Sequence, residues 1–294
     1  MSKVIVRIKG GLGNQLFSYA AARRLALVNN AELVIDEVTG FERDSLYLRR
    51  YMLDRFHISG RNATPFERLA PFDRYRRILL KWLSKNKPFA LRKYLEQEGL
   101  DFDKRLLDLK VGGTRYLEGY WQSEGYFKDV EATIREDLKI LPPEDELNLR
   151  MAEEILNCNA VAIHVRWFDT PGSIAAHNAP IQYYQRAISF MEEKVKSPHY
   201  FLFSDAPEAA QVKLDLPAGR VTCVSHNQGN AASYADLWLM SQCRHFIIAN
   251  STFSWWGAWL GVGQEKIVVA PGVELEGKTA WGFKGLIPNG WTVL

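Results

Sequence analysis

The chain has 294 residues, 47% of them hydrophobic and 24% charged, with a formal net charge of +3. Such a composition is ordinary for globular proteins and suffices for one large domain or two modest ones. The near-balanced charge, together with the lack of any zinc-finger, RNA-recognition or helicase pattern, argues against nucleic acid as a partner. No run of 18 apolar residues occurs, and the opening MSKVIVRIKG is too short an apolar stretch for a signal peptide, so integral membrane insertion is not expected. Cys158, Cys223 and Cys243 are odd in number and widely spaced, which fits a reduced cytosol better than a disulfide framework or a metal knuckle.

In chain order, Val4 to Ile8 (VIVRI) reads as a buried strand, KGGLG as a tight loop, and Asn14 to Val28 as a helix rich in Ala, Arg and Leu. AELVID is a second strand. Gly11-x-Gly13 after a strand, with Asp36 closing the next one, partly mimics a dinucleotide fingerprint, but Leu16 stands where the third glycine belongs. The lysine and hydroxyl of a Walker loop are also missing. What survives is a glycine loop that lets backbone approach a ligand, followed by Asn14 and Gln15 as neutral donors and acceptors; a plain strand-to-helix turn is the simpler alternative.

Further on, Arg74 to Lys93 carries eight Arg or Lys and no acid, so removing those eight from +3 leaves the rest of the chain at −5. Tyr75, Leu79, Trp82 and Leu83 share one helical face there. The expected arrangement is a surface helix whose apolar stripe joins the core; the sharper one is an interfacial helix holding the protein near anionic lipid or a lipid-linked acceptor.

From about Ala160 the pattern becomes regular: AVAIHV, YFLFSD, RVTCV, HFIIAN and KIVVAP alternate with segments of helical length, which implies a parallel sheet with crossover helices. The reading is α/β, with two Rossmann-like halves, residues 1–145 and 146–294, divided near LPPEDE (Leu141 to Glu146). The tail after Pro271 is expected to return to the first half. Three of these strand ends carry polar groups, as the glycine loop with Asn14 does after the first strand. His164 and Arg166 lie two residues apart, on the same side of a short strand, and an arginine there can clamp a phosphate bidentately; Asp169, next along, offers a neutralising partner. Ser204 and Asp205 end another strand, where a carboxylate can meet nucleoside N–H groups or ribose hydroxyls, or else cap the following helix. Asn250 or Ser251 is an N-cap, and Ser251, Thr252, Phe253 and Ser254 open a helix whose free N–H groups form a ready anion site, with simple capping as the alternative.

The stretches GGLGNQLFSYAAARRLA, YLEGYWQSEGYF, HVRWFD, FSDAP and ADLWLMSQCRHFIIANSTFSWWGAWL resemble, in that order, motifs of the bacterial α-1,2-fucosyltransferases, glycosyltransferase family eleven. The resemblance covers most of the chain and is weakest over Arg74 to Lys93. It implies a GT-B architecture, two Rossmann-like domains facing across a cleft. It also implies transfer of fucose with inversion from GDP-β-L-fucose to the 2-hydroxyl of a galactose, with no metal or other cofactor. By motif position, Arg166 would bind the pyrophosphate and stabilise departing GDP, with His164 supporting it. Ser251, Thr252 and Phe253 would line the phosphates, Asp205 would contact the guanosine, and Gly11, Gly13 and Asn14 would approach the fucose and diphosphate. The acceptor would be a galactose-ended oligosaccharide or lipid-linked glycan, and the location cytoplasmic, with peripheral contact at the inner membrane face through Arg74 to Lys93.

This sequence departs from the family's usual His-x-Arg-Arg-x-Asp, since Trp167 and Phe168 replace the second arginine and the residue after it. Alternation points position 167 away from position 166, so Arg166 is expected to carry the chemistry and Trp167 to alter packing or acceptor choice. Asp169 is the candidate catalytic base. Two readings compete: a dinucleotide-dependent oxidoreductase built on Gly11, Gly13 and Asp36, and a non-catalytic sugar-binding module using Trp121, Trp255 and Trp256 as stacking platforms.

Overall fold

The computed structural model describes residues 1–166, 178–214, 216–217, 219–263, 265–272 and 281–294. The chain divides into two compact units, Met1–Lys139 with Lys284–Leu286, and Ile140–Phe283 with Ile287–Leu294.

The first unit contains β1 (Lys3–Arg7), α1 (Leu12–Val28), β2 (Glu32–Asp36), β3 (Arg61–Asn62), α2 (Asp73–Lys85), β4 (Tyr94–Glu96), β5 (Thr114–Glu118) and α3 (Glu131–Asp137). Its strands pair in parallel in the order β3-β2-β1-β5-β4, with Val4 opposite Leu33 on one side and Arg115 on the other. The short apolar strand β1 lies at the centre because it is covered on both faces. Helix α1 is buried nearly all round, as an Ala-rich helix without a polar stripe must be. The tail meets this unit at Lys284, whose N–H donates to Asp101 (2.9 Å) and whose carbonyl accepts from Phe102 N–H (2.8 Å).

The second unit contains α4 (Glu146–Leu156), β6 (Asn159–Val165), α5 (Ile181–Lys194), β7 (Pro198–Ser204), α6 (Pro207–Leu214), β8 (Val221–Val224), α7 (Gly229–Gln242), β9 (His245–Ile247), α8 (Thr252–Leu260), β10 (Val268–Ala270) and β11 (Thr292–Val293). The strand order β11-β10-β9-β6-β7-β8 is parallel throughout. Counted from β6, it is the doubly wound order 3-2-1-4-5-6 read from the β8 edge, and it reverses direction between β6 and β9. Strand β6 is buried over six of its seven residues, which a strand with helices on both faces requires. Helix α8 is a plug of packed indoles: Trp255, Trp256 and Trp259 have ring centroids 5.0–6.3 Å apart, and Trp291 adds a fourth at 5.5 Å from Trp255. Gly257 lets α8 approach α7, since a Cβ there would stand 3.0 Å from Met240.

Two expectations are corrected. Trp121, Trp255 and Trp256 are fully buried, so they are core residues and cannot serve as sugar-stacking platforms. The apolar stripe of α2 does not join the core. Tyr75, Ile78, Leu79 and Trp82 are 70%, 54%, 54% and 64% exposed, and the inward face is instead polar. There, Arg77 donates to Asp73 (3.0 Å) and Thr39 (2.7 Å), Lys81 pairs with Glu118 (3.1 Å), and the Ser84 hydroxyl accepts from Tyr94 N–H (3.0 Å). Positions 77, 81 and 84 share one side of a helix, so once they are tied to the sheet the apolar stripe must face outward. Among the described residues, no helix is long and apolar enough to cross a membrane.

Candidate functional site

In a doubly wound sheet, ligands bind outside the carboxyl ends of the strands where the order reverses. In the second unit that point lies between β6 and β9, and most of the sequence-predicted donor residues converge there. Parallel register sets Val165 of β6 opposite Ser204 of β7, so Arg166 and Asp205 leave adjacent strands side by side. They form an ion pair, with Arg166 Nη1 donating to Asp205 Oδ2 at 2.7 Å. The expected partner, Asp169, lies outside the described residues together with Trp167 and Phe168. Asp205 therefore meets the arginine from the neighbouring strand end. The neighbouring Ser204 hydroxyl turns the backbone by accepting from Ala206 N–H at 3.1 Å.

His164 is almost wholly buried, with its ring 5.6 Å from that of Phe253 in the first turn of α8. Burial first, and the Arg166 charge second, lower its pKa to about 3, so it is neutral at physiological pH. Its Nδ1 has no hydrogen-bond partner among the described residues, and such a buried polar atom normally has one. The tyrosines of α5 tie the strand ends from beneath: Tyr184 donates to the His164 carbonyl (3.2 Å) and Tyr183 to those of Ile248 (2.6 Å) and Val269 (2.9 Å).

On the other side of the reversal, the chain leaves β9 through the buried Asn250 and turns into α8. The N-cap is Ser251, not Asn250: its backbone is extended (φ −141°, ψ 128°) and its hydroxyl accepts from Phe253 N–H at 3.3 Å. The Ser254 hydroxyl donates to the Ser251 carbonyl at 3.3 Å. The Phe253 N–H is thus capped, and the dipole of α8 sets an electropositive end beside Arg166's strand. A guanidinium, a neutral imidazole, a helix N-terminus and hydroxyls at one sheet edge can hold a diphosphate by hydrogen bonds and charge together. Among the described residues, no cluster of three His, Cys, Asp or Glu side chains is placed to hold a metal ion.

The glycine loop occupies the equivalent place in the first unit, after β1 and beside β5. Gly10 is the residue that needs glycine's freedom, with φ +79° and Tyr120 packed 3.1 Å from where a Cβ would stand. Gly11 caps α1 with ordinary dihedrals, and Gly13 is buried in the first turn. Asn14 Oδ1 accepts from Gln122 at 2.8 Å. Gln15 is buried and structural, donating to the Gly10 and Arg50 carbonyls (2.9 and 2.8 Å) and accepting from Met52 N–H (2.9 Å), so its expected availability to a ligand is corrected. Asp36 is likewise occupied: it accepts from Thr39 N–H (3.0 Å) and the Thr39 hydroxyl (2.5 Å), which leaves no ribose-binding carboxylate of the dinucleotide type.

Asp236, within the ADLWLMSQCRHFIIANSTFSWWGAWL stretch, is a further titratable residue of the second unit that the sequence reading does not single out. This carboxyl, on α7, accepts from Asn227 at 2.8 Å, and Asn227 in turn donates to Asn148 at 2.9 Å. Burial raises the Asp236 pKa to about 7, with the Asn227 hydrogen bond opposing. An Asp in the middle of an otherwise apolar helical stretch was the available signal.

Two parallel-sheet Rossmann-type units, with a basic and hydroxyl-lined strand edge in the second, make an α/β fold of the GT-B type. A structure of Arabidopsis thaliana FUT1 in complex with GDP shares the fold at 18% identity, with a TM-score of 0.56 over 95% of this chain and 72% of that one. Fucosyltransferase NodZ from Bradyrhizobium does so at 18% identity and a TM-score of 0.50, over 87% and 92% of the two chains.

The chain belongs to glycosyl transferase family 11, whose model matches residues 3–276. It is 29% identical over 277 residues to an alpha-1,2-colitosyltransferase of Escherichia coli (92% of each chain), and 31% identical over 288 residues to the O-antigen biosynthesis glycosyltransferase WbnK of the same species (90% of this chain, 92% of the other). Family membership removes the oxidoreductase reading.

Proposed function

We propose that the protein transfers L-fucose from GDP-β-L-fucose, with inversion, to the 2-hydroxyl of a galactose in a glycan. The observation that carries this reading is that Arg166, at the end of β6, and the Ser251-capped N-terminus of α8, after β9, follow adjacent strands at the reversal of the second unit's sheet. Charge develops on the β-phosphate as the sugar leaves, and fixed donors aimed at that oxygen stabilise the transition state more than the ground state. Arg166 supplies the fork of charged donors. Ser251, Thr252 and Phe253 supply hydroxyls and early helix amides. His164, held neutral, donates or accepts a hydrogen bond but exchanges no proton near pH 7. Asp205 orients the guanidinium; its alternative role, contact with the guanosine, is separable by experiment. Asp169 is the proposed base that takes the acceptor's proton late in the transfer, and Asp169→Asn with retained turnover and unchanged donor affinity would remove it from that role.

A second donor is supported by the colitosyltransferase relative. Colitose is fucose lacking the 3-hydroxyl, and a site built to hydrogen-bond that hydroxyl would discriminate strongly between the two. The deciding experiment is GDP release by the purified protein, with EDTA present, from GDP-fucose and from GDP-colitose, each with and without lactose or N-acetyllactosamine. Acceptor-stimulated release from GDP-fucose is the expected result. Release from GDP-colitose alone would replace the donor, and failure to bind GDP would overturn the site.

A further inference from the structure

Helix α2 is amphipathic in the reverse of the usual sense. Its polar residues Arg77, Lys81 and Ser84 are consumed by the sheet beneath, while Tyr75, Ile78, Leu79 and Trp82 form a continuous apolar stripe in solvent, extended by Leu83 and by Phe72 just before the helix. Single exposed apolar residues need no explanation, whereas a contiguous stripe on one helix marks an interaction surface.

The charges around the stripe indicate what covers it. Arg74 and Lys85 flank it along one side, Lys87 follows the helix, and none of the three has an ion pair among the described residues. Ile78 also lines a cavity of about 210 Å³ in whose walls Arg7, Arg43, Arg74, Arg77 and Lys81 outnumber the acids Glu42 and Asp73. Arg77 is committed to Asp73 and Thr39, but Arg43 and Arg74 have no acidic partner among the described residues. An apolar stripe with a central Trp, bordered by unpaired cations and a basic hollow, is complementary to a surface that is apolar inside and anionic at its rim.

We infer that α2 docks the protein on an anionic phospholipid bilayer, with Tyr75, Ile78, Leu79 and Trp82 in the headgroup–acyl boundary and the Arg43–Arg74 hollow against lipid phosphates. Docking does not depend on which sugar is transferred, so it stands or falls separately from the donor reading.

The test is co-sedimentation of the full chain with vesicles of phosphatidylglycerol and phosphatidylcholine, and with phosphatidylcholine alone, at low and high salt. Binding is expected only to the anionic vesicles and is expected to weaken with salt. Ile78→Ser with Leu79→Ser and Trp82→Ser is expected to lower partition about tenfold or more. Arg74→Glu with Lys85→Glu is expected to abolish the preference for anionic lipid. All these side chains are exposed, so both variants should melt like the parent and still turn over a soluble acceptor. No binding to anionic vesicles at low salt, or undiminished binding by the serine variant, would overturn the inference. So would a lipid-free dimer that the serine variant abolishes, because the stripe would then be covered by a second copy. Displacement from vesicles by soluble glycerol phosphate would assign the hollow to a free phosphate instead of a bilayer.

Discussion

The carboxyl edges of the two sheets are built from similar parts and balance charge differently. In the first unit, Glu118 closes β5 and is shared by Arg7 (2.9 Å) and Lys9 (3.1 Å) at Oε1 and by Lys81 (3.1 Å) at Oε2, which also accepts from the Tyr94 hydroxyl. Burial pushes the Glu118 carboxyl up, but Lys9 and Arg7 outweigh it and bring the pKa down to about 2. In the second unit, Arg166 pairs with the partly exposed Asp205 carboxylate, beside a neutral histidine and a helix N-terminus. The first edge is a closed ionic knot that fixes backbone. The second sets a cation beside a neutral imidazole and a helix N-terminus, the arrangement an incoming diphosphate can use.

The largest expected effect is on the knot. Glu118→Gln leaves three cations without their shared acid and should cost about 3 kcal/mol or more in stability. In denaturant titration, turnover per folded molecule should stay close to the parent's; a stable Glu118→Gln protein would erase the contrast. Arg166→Lys should do the opposite, leaving the melting temperature nearly unchanged and lowering kcat/KM about 100-fold, because a point charge cannot replace the fork. Near-normal turnover of the lysine variant would refute the clamp.

Asp205→Asn sharpens the second edge. If Asp205 acts through Arg166, calorimetry should show GDP binding weakened about tenfold with guanosine binding untouched, the size expected for one charge-assisted contact. Equal losses for both ligands would move Asp205 to the nucleoside.

Two of the shifted carboxyls contribute to the pH dependence of stability in opposite directions. Glu118, depressed below its ordinary 4.5, stabilises the fold above that value, and the contribution is lost as pH falls towards about 2. Asp236, raised from 3.8 to about 7, contributes most below 3.8 and loses that contribution as pH rises through 7. Asp236→Asn should therefore flatten the melting temperature between about pH 4 and 7, and an unaltered slope would place the titration elsewhere. The smallest effect is that of Ser251→Ala, about 1 kcal/mol of stability from the lost cap, with a modest rise in donor KM.

Much of this was legible in the chain itself. Alternating apolar runs and helical segments announced parallel sheets. His164 and Arg166 two apart on a strand, and hydroxyls opening an aromatic helix, marked the second edge, because strand period and helix capping are local properties. What local pattern could not determine was which partner each group would find. Ser251 caps α8 while Asn250 is buried beside it, and Arg166 pairs with Asp205, 39 positions away, because the β6–β7 register sets their strand ends together. The same limit explains the indoles and α2. Trp255 and Trp256 suit a sugar platform or a core equally well until neighbours enclose them. A helix with one apolar and one basic face states that it is two-sided; only the sheet's demand for Arg77 and Lys81 decided that the apolar side would face out.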